Sequence, residues 1–198
     1  MPPVIVKDGM SGSSRQRMIE TAAVVMRERG VEATSFSEVL ARSGAPRGSI
    51  YHHFPGGKAQ LIEEATRYGG EFTAAGLTAA LADDDPVAAV RAFSVSWLRI
   101  LRKTDFAGGC PVVAASLEGD RAPGARDAAA EAFARWEDLI AAALGSHLDS
   151  AERARALATM VIASIEGGIV LSRAARDTGP LERVAQELER LLVDAIGE

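Results

Sequence analysis

Apolar residues recur at steps of three and four along most of the chain, and no stretch shows a convincing strand-like alternation. Segments rich in glycine, proline and aspartate interrupt this pattern, most clearly at residues 83–86 and 177–180. Alanine is abundant and runs of β-branched residues are few, which also favours helices. The pattern predicts an all-α chain of about nine helices.

Serines and glycines next to the apolar stretches predict where the helices begin and end. Ser13 or Ser14, Ser37 and Ser150 are placed to accept a backbone N–H from a first helical turn, and Gly30 is placed to end the first helix. We predict helices over residues 14–29, 37–43, 48–54, 57–81, 86–103, 112–117, 127–144, 151–176 and 181–196.

The second and third predicted helices are short and close together. Pro46 separates them because it lacks an N–H and moves Ala45 out of the helical region. In the third helix, Ile50 and Phe54 lie four residues apart on one face. Two short helices across a glycine-containing turn form the helix-turn-helix pattern, in which the second helix enters the major groove of DNA.

Residues off this packed face carry side chains that suit DNA. Arg47 could bond guanine O6 and N7 in a fork, and Gly48 would let the backbone approach the duplex. The alternative is that the aromatic residues only pack on a small three-helix core, and we assign His53 and Phe54 to that role. The donors predicted to hold phosphates are Ser49, Tyr51, His52 and Lys58.

The charge distribution supports an interaction at the N-terminal end. The net charge of −5 alone argues against binding to nucleic acid. Residues 1–60, however, contain eight Lys and Arg against five Asp and Glu, a balance of +3, which leaves −8 for the remainder. A basic head on an acidic body concentrates the attraction for phosphate at one end of the chain.

The helix-turn-helix segment resembles the DNA-binding domain of the TetR family of transcriptional regulators. Two features depart from the common pattern: the turn at residues 55–57 is one residue longer, and Pro46 stands where a hydroxyl is frequent. Together with Gly109-Cys110-Pro111, this turn resembles the branch of the lincomycin-resistance repressors. The matching residues are Thr34, Ser35, Phe36, Val39, Gly44, Gly48, Tyr51, His53, Phe54, Lys58, Ala59, Gln60 and Leu61.

The resemblance implies two domains and a mode of action. Residues 1–60 would bind DNA, with residues 1–12 as a loose tail, and residues 61–198 would bind an effector and dimerise. Thr34, Ser35 and Arg15 become further candidates for DNA contact. The expected protein is a repressor that binds a palindromic operator in double-stranded DNA as a homodimer and is released by a small apolar or aromatic ligand.

Large aromatic residues flank the loop that contains Cys110, and they allow two interpretations. The residues alone favour a plain helical core, whereas the resemblance favours a pocket for an effector. We expect the Cys110 thiol to be buried and unreactive. Glu166 either pairs with an arginine such as Arg173 or contacts the ligand. The candidate pocket residues are Phe93, Trp97, Leu101, Cys110, Phe133, Trp136 and Glu166.

The last two predicted helices carry apolar stripes that could meet a second copy. Reading a palindrome requires a two-fold protein with recognition helices about 34–36 Å apart. We therefore predict a four-helix dimer interface. Its candidate residues are Leu157, Val161, Ser164, Gly168, Leu171, Leu181, Val184, Leu188 and Leu191.

Other functional classes have less support in the sequence. A single cysteine cannot form an internal disulfide, and the N-terminus lacks a signal pattern, which suits a cytoplasmic protein. The most apolar run, residues 160–171, is too short to span a bilayer and contains Glu166. We predict no membrane segment.

Enzyme motifs are also missing from the sequence. Adjacent His52 and His53 point apart on a helix, so they cannot share a metal ion. No carboxylate pair, phosphate-binding loop or Ser-His-Asp set stands out, which predicts neither enzymatic activity nor a cofactor. The remaining alternative is a helical adaptor that binds protein, in which the helix-turn-helix is only structural.

Overall fold

The computed structural model describes residues 13–118 and 121–197. All regular secondary structure within these residues is helical, and they contain no strand. The all-α prediction is confirmed, and the predicted tail at residues 1–12 lies outside the described residues. The helices are α1 (Ser14–Arg29), α2 (Phe36–Ser43), α3 (Ser49–His53), α4 (Gly57–Ala80), α5 (Pro86–Lys103), α6 (Pro111–Ser116), α7 (Pro123–Gly145), α8 (Ala151–Ala175) and α9 (Gly179–Gly197).

Most of the predicted helix ends are found, and one cap is corrected. Ser13 caps α1 and Ser150 caps α8 through their side chains. At α2 the cap is Ser35, whose Oγ accepts the Glu38 N–H at 3.2 Å, so the assignment of Ser37 was wrong. The helix already begins at Phe36, which places Ser37 inside the first turn.

The later helices begin earlier than predicted because proline can occupy a first helical turn. The helix α7 begins at Pro123 rather than residue 127, and α9 begins at Gly179, just before Pro180. Residues 119 and 120, which belong to the loop between the helices predicted at 112–117 and 127–144, lie outside the described residues.

The described chain divides into two compact units. The N-terminal unit comprises residues 13–71, 110–118 and 121–132, and the C-terminal unit comprises residues 72–109 and 133–197. The N-terminal unit therefore includes α6 and the first part of α7 as well as the helix-turn-helix. The predicted boundary at residue 60, between a DNA-binding and an effector-binding domain, is a division by function and stays a prediction.

In the N-terminal unit, α1 packs against α2, α3 and α6. A close approach also occurs between α4 and α7: an ideal Cβ on Gly70 would lie 2.7 Å from the Cβ of Ala132. This contact indicates that glycine at position 70 lets the two helices come this close.

In the C-terminal unit, α8 packs against α5 and α9, and α5 packs against α9. The core includes Leu101, Trp136, Val161 and Leu181, each nearly fully buried. By length and composition α8 could cross a membrane, but 44% of its most apolar window is buried inside the chain. A buried core helix of a soluble domain has the same apolar character.

Arg27 is a buried cation in α1, only 6% exposed, and its Nε has no hydrogen-bond partner in the described part of the chain. Burial lowers the pKa of Arg27, while the attraction of Glu28 raises it. Because the buried guanidinium is poorly compensated, we expect Arg27→Met to raise the free energy of unfolding by about 1 kcal/mol. Chemical denaturation measures this change.

The matched control is Arg29→Met on the same helix. Arg29 is exposed and pairs with Glu38 at 3.2 Å, so its removal should be neutral or cost less than about 1 kcal/mol. A loss of stability in Arg27→Met that equals or exceeds the loss in Arg29→Met would contradict the prediction.

Candidate functional site

The short helix α3 is held by two buried side chains. Ile50 and Phe54 are both fully buried, and α3 packs against α1. The preceding helix ends at Gly44, where φ is +66°, a left-handed conformation that favours glycine. The turn is closed by Ser49, whose N–H and hydroxyl both bond the Pro46 carbonyl, at 3.0 and 2.7 Å. The opposite side of α3 therefore stays accessible.

Four of the residues predicted to contact DNA form this accessible side, which we call the recognition surface: Arg47, Gly48, Tyr51 and His52. All four are exposed, and the Tyr51 side chain is 71% exposed while its ring meets Phe36 edge-on at 5.6 Å. No atom of the described residues lies within 4 Å of an ideal Cβ on Gly48, whose φ of −70° suits any residue. The glycine thus borders open space rather than relieving strain.

Arg47 differs from the other solvent-accessible arginines and lysines in residues 13–60. Within the described residues its side chain makes no hydrogen bond or ion pair. Arg15 pairs with Glu64 at 2.6 Å, and the remaining exposed cations have partners. Those partners are Glu38 for Arg29, Glu28 and Glu38 for Arg42, Ser14 for Arg17, and the Glu32 carbonyl for Lys58. Arg47 is consequently the arginine most ready to bond a new acceptor.

Several other predicted contacts are already engaged inside the chain. Thr34 is fully buried and donates its hydroxyl to the Gly30 carbonyl at 2.9 Å, which corrects its assignment to DNA. Ser35 is used as the α2 cap. The Arg15 guanidinium lies 5.3 Å from the centre of the Phe54 ring, and Lys58 Nζ donates to the Glu32 carbonyl at 2.9 Å. In this arrangement these residues support the helices.

Ser37 is a candidate that the sequence argument missed. Its side chain is exposed in the first turn of α2, and its hydroxyl lies 2.8 Å from that of Ser35. Ser35 and Ser37 are both of the residue type that caps helices, so the sequence alone did not distinguish them. With Ser35 as the cap, Ser37 remains at a helix N-terminus, where phosphate is favoured.

The candidate pocket residues are mostly buried. In the C-terminal unit, Phe93 and Trp97 form one edge-to-face pair at 6.4 Å, and Phe133 and Trp136 form another at 5.3 Å. The Nε1 of Trp97 is buried and has no hydrogen-bond partner among residues 13–118 and 121–197. Leu101 is fully buried, whereas Phe133 and Glu166 are half-buried.

Cys110 belongs to the N-terminal unit and precedes α6 as its capping residue. Its thiol is buried, as predicted. His147 lies just after the end of α7. Its Nε2 lies 3.6 Å from a carboxylate oxygen of Asp84, a contact the sequence did not predict.

The predicted dimer residues divide into two groups. Leu157, Val161 and Leu181 are at most 2% exposed within one chain, and an ideal Cβ on Gly168 would lie 2.9 Å from Leu181. These four residues are corrected to intrachain packing, because the chain itself already covers them. Leu171, by contrast, is 58% exposed. The other four line a groove between α8 and α9, where Leu188 is only 4% exposed and the rest are partly exposed: Ser164, Val184, Leu188 and Leu191.

This α8–α9 groove has a volume of about 320 Å³. Its wall also includes Met160, which is 51% exposed, and the charged residues Arg183 and Glu187. An accessible apolar surface of this kind is the part of α8 and α9 that another molecule can reach.

Two family models match the chain. Residues 86–187 match the C-terminal domain of LmrA/YxaF-like transcriptional regulators, and residues 18–65 match the tetR family of bacterial regulatory proteins. The first match covers the helices α5 to α8 and part of α9. The second match includes the whole helix-turn-helix.

Known proteins resemble the chain over nearly its full length. The uncharacterized HTH-type transcriptional regulator Rv0196 of Mycobacterium tuberculosis is 41% identical over 190 residues, covering 93% of this chain and 96% of the relative. The HTH-type transcriptional regulator LmrA of Bacillus subtilis is 32% identical over 183 residues, covering 91% and 97%. The fold matches the crystal structure of regulatory protein TetR from Rhodobacter sphaeroides with a TM-score of 0.81 at 23% identity, covering 89% and 97%.

Proposed function

Because the chain belongs to the TetR family of bacterial transcriptional regulators, in its LmrA/YxaF-like branch, we propose that it is a ligand-released repressor acting as a homodimer on a palindromic operator. A member of this family is a DNA-binding regulator, which is normally not an enzyme. The proposed site of action is the cytoplasm, where the chromosomal operator lies. The observation that carries the proposal is Arg47, which is exposed on the recognition surface and unpaired among the residues that the structure describes.

Arg47 reads a base in this proposal. Its guanidinium can donate two parallel hydrogen bonds to guanine O6 and N7, a contact that discriminates between base pairs. Gly48 contributes by its lack of a side chain, since the open space beside it can be filled by the duplex. Tyr51 and His52 extend from the same side of α3 and contact the strand next to that base.

Phosphate contacts then fix the orientation of α3. Ser37 can donate to a phosphate beside the N-terminus of α2, where the helix dipole also favours negative charge. Ser49 is partly exposed, and its hydroxyl closes the turn in the free protein. Arg15 and Lys58 support α3 without contacting DNA. Arg15 holds the Phe54 ring, and Lys58 holds the backbone of the 32–34 segment.

The homodimer forms through the accessible face of α8 and α9. The α8–α9 groove and the exposed Leu171 are apolar surfaces that a second copy would cover. A two-fold axis at this face would give two recognition surfaces, one for each half of a palindrome. Both can contact bases only if they are about 34–36 Å apart.

The effector binds among the aromatic residues of the C-terminal unit. The support is the buried Nε1 of Trp97, a hydrogen-bond donor with no partner in the described residues. Burying such a donor costs free energy, and a ligand that supplies an acceptor would lower this cost. The proposed ligand is therefore apolar or aromatic and carries an oxygen or nitrogen acceptor. If the ligand binds more tightly to a conformation in which the two recognition surfaces are differently spaced, DNA affinity falls. The factor is the ratio of the ligand affinities of the two conformations.

The test uses electrophoretic mobility shift on the DNA upstream of the gene that encodes the chain. We expect a specific shift that a palindromic segment competes away, and release of the DNA by one of a series of planar aromatic ketones. Failure to bind any duplex at low salt would overturn the regulator as proposed. Binding that no compound of a broad apolar library alters would overturn ligand release alone.

A further inference from the structure

The α8–α9 groove carries two opposite charges beside its apolar residues. Arg183 and Glu187 both line it, together with Met160, Val184 and Leu188. They are four residues apart on α9, so they lie on the same face of the helix. A partner that covers the groove therefore meets charge as well as apolar surface.

The two charges do not pair with each other within the chain. Glu187 accepts a hydrogen bond from Arg190 at 2.6 Å, and both of those side chains are 70% exposed. Within the described residues the Arg183 side chain makes no ion pair or hydrogen bond. An arginine placed four residues before a glutamate is also the less favourable order for a pair on one helix. Arg183 is therefore free for a partner outside its own chain.

Covering the groove changes the energetics of both charges. An apolar partner would remove water from Arg183 and Glu187 without replacing its hydrogen bonds, which is costly. A second copy related by a two-fold axis presents the same two charges in reverse order. In such an interface, every contact between a residue of one copy and a residue of the other occurs twice, so one ion pair across the axis implies a second.

We propose that Arg183 of each copy pairs with Glu187 of the other, and that these two ion pairs make the chain select itself as a partner. The inference rests on the proposed homodimer and adds the residues that determine its specificity. Glu187 can accept both arginines, since Arg190 bonds only its Oε1. Another helical regulator without this charge order would leave Arg183 covered and unpaired.

Charge reversal tests the proposal in the full-length protein. Sedimentation equilibrium would measure the dimer dissociation constant of Arg183→Glu, Glu187→Arg, the double variant, and an equimolar mixture of the two single variants. Each single variant should weaken its own homodimer at least about tenfold, because like charges then face each other. The double variant and the mixture should both recover to within about threefold of the natural protein, since opposite charges again face each other.

Arg153→Glu is the matched control. Arg153 is exposed on α8, lies outside the groove and makes no side-chain ion pair within the described residues, so its reversal changes net charge equally. Its dissociation constant should stay within about twofold of the natural protein. Thermal melting of each variant at low concentration separates weakened assembly from an unfolded chain.

The outcomes separate this inference from the homodimer itself. A natural protein that remains monomeric up to high concentration would overturn both. A stable dimer in which neither single reversal changes the dissociation constant would overturn only the ion pair. Failure of the double variant and of the mixture to recover, with melting temperatures unchanged, would equally overturn it.

Discussion

Replacing Arg47 with alanine should lower operator affinity by about thirtyfold or more. A forked arginine–guanine contact contributes about 1–3 kcal/mol, and both copies of the homodimer would lose it. The fold should be unaffected, because Arg47 is exposed and has no partner within the described residues. Fluorescence anisotropy with the upstream duplex measures the loss, and substitution of the contacted guanine should give a similar loss that is not additive with Arg47→Ala.

Arg153→Ala is the control for Arg47→Ala, since it removes an equally exposed arginine from the C-terminal unit. It should bind the duplex like the natural protein. If Arg47→Ala binds equally well, the recognition surface does not read bases through this residue. If Arg47→Ala also co-purifies with the same protein partners as the natural chain, the adaptor interpretation gains support instead.

Gly70→Ala should lower the free energy of unfolding by about 1–3 kcal/mol, because the new methyl group would lie 2.7 Å from the Cβ of Ala132. Neither atom can move without shifting the backbone of α4 or α7. Combining the change with Ala132→Gly should recover part of the loss, since the clash disappears. Urea denaturation of the single and double variants measures both effects.

The matched control is Gly167→Ala in α8. This glycine is exposed, and an ideal Cβ on it meets nothing within 4 Å. The same substitution should therefore raise stability by about 0.5–1 kcal/mol, the usual gain when alanine replaces glycine inside a helix. If Gly70→Ala is stabilising as well, the close approach of α4 and α7 does not depend on glycine.

Local signals predicted the helix-turn-helix well, because caps, turns and breaks are set by neighbouring residues. Gly44, Pro46 and the Ile50–Phe54 spacing contain the information for α2, the turn and α3. The one local error, Ser37 in place of Ser35, arose from two serines that flank the same phenylalanine. Both serines satisfy the composition rule, and only the position of the first turn decides between them.

Periodicity predicted the apolar stripes of α8 and α9, but not what each stripe contacts. Leu157 and Leu181 face the inside of one chain, whereas Met160 and Leu171 remain accessible. A stripe that packs within the chain and a stripe that meets a second copy have the same spacing. The same limitation applies to Gly70, because its neighbour Ala132 is distant in sequence.

The internal pairing of cations near α3 has a consequence for how ionic strength acts on the protein. Arg15, Arg29, Arg42 and Lys58 already bond acceptors in the free chain, so few of them can neutralise phosphates. Each phosphate that is neutralised releases a counterion, and this release is what makes DNA affinity fall as salt rises. A head that binds mainly through Arg47 at the bases and uncharged donors at the backbone would hold its operator with little change across the salt concentrations a bacterium meets.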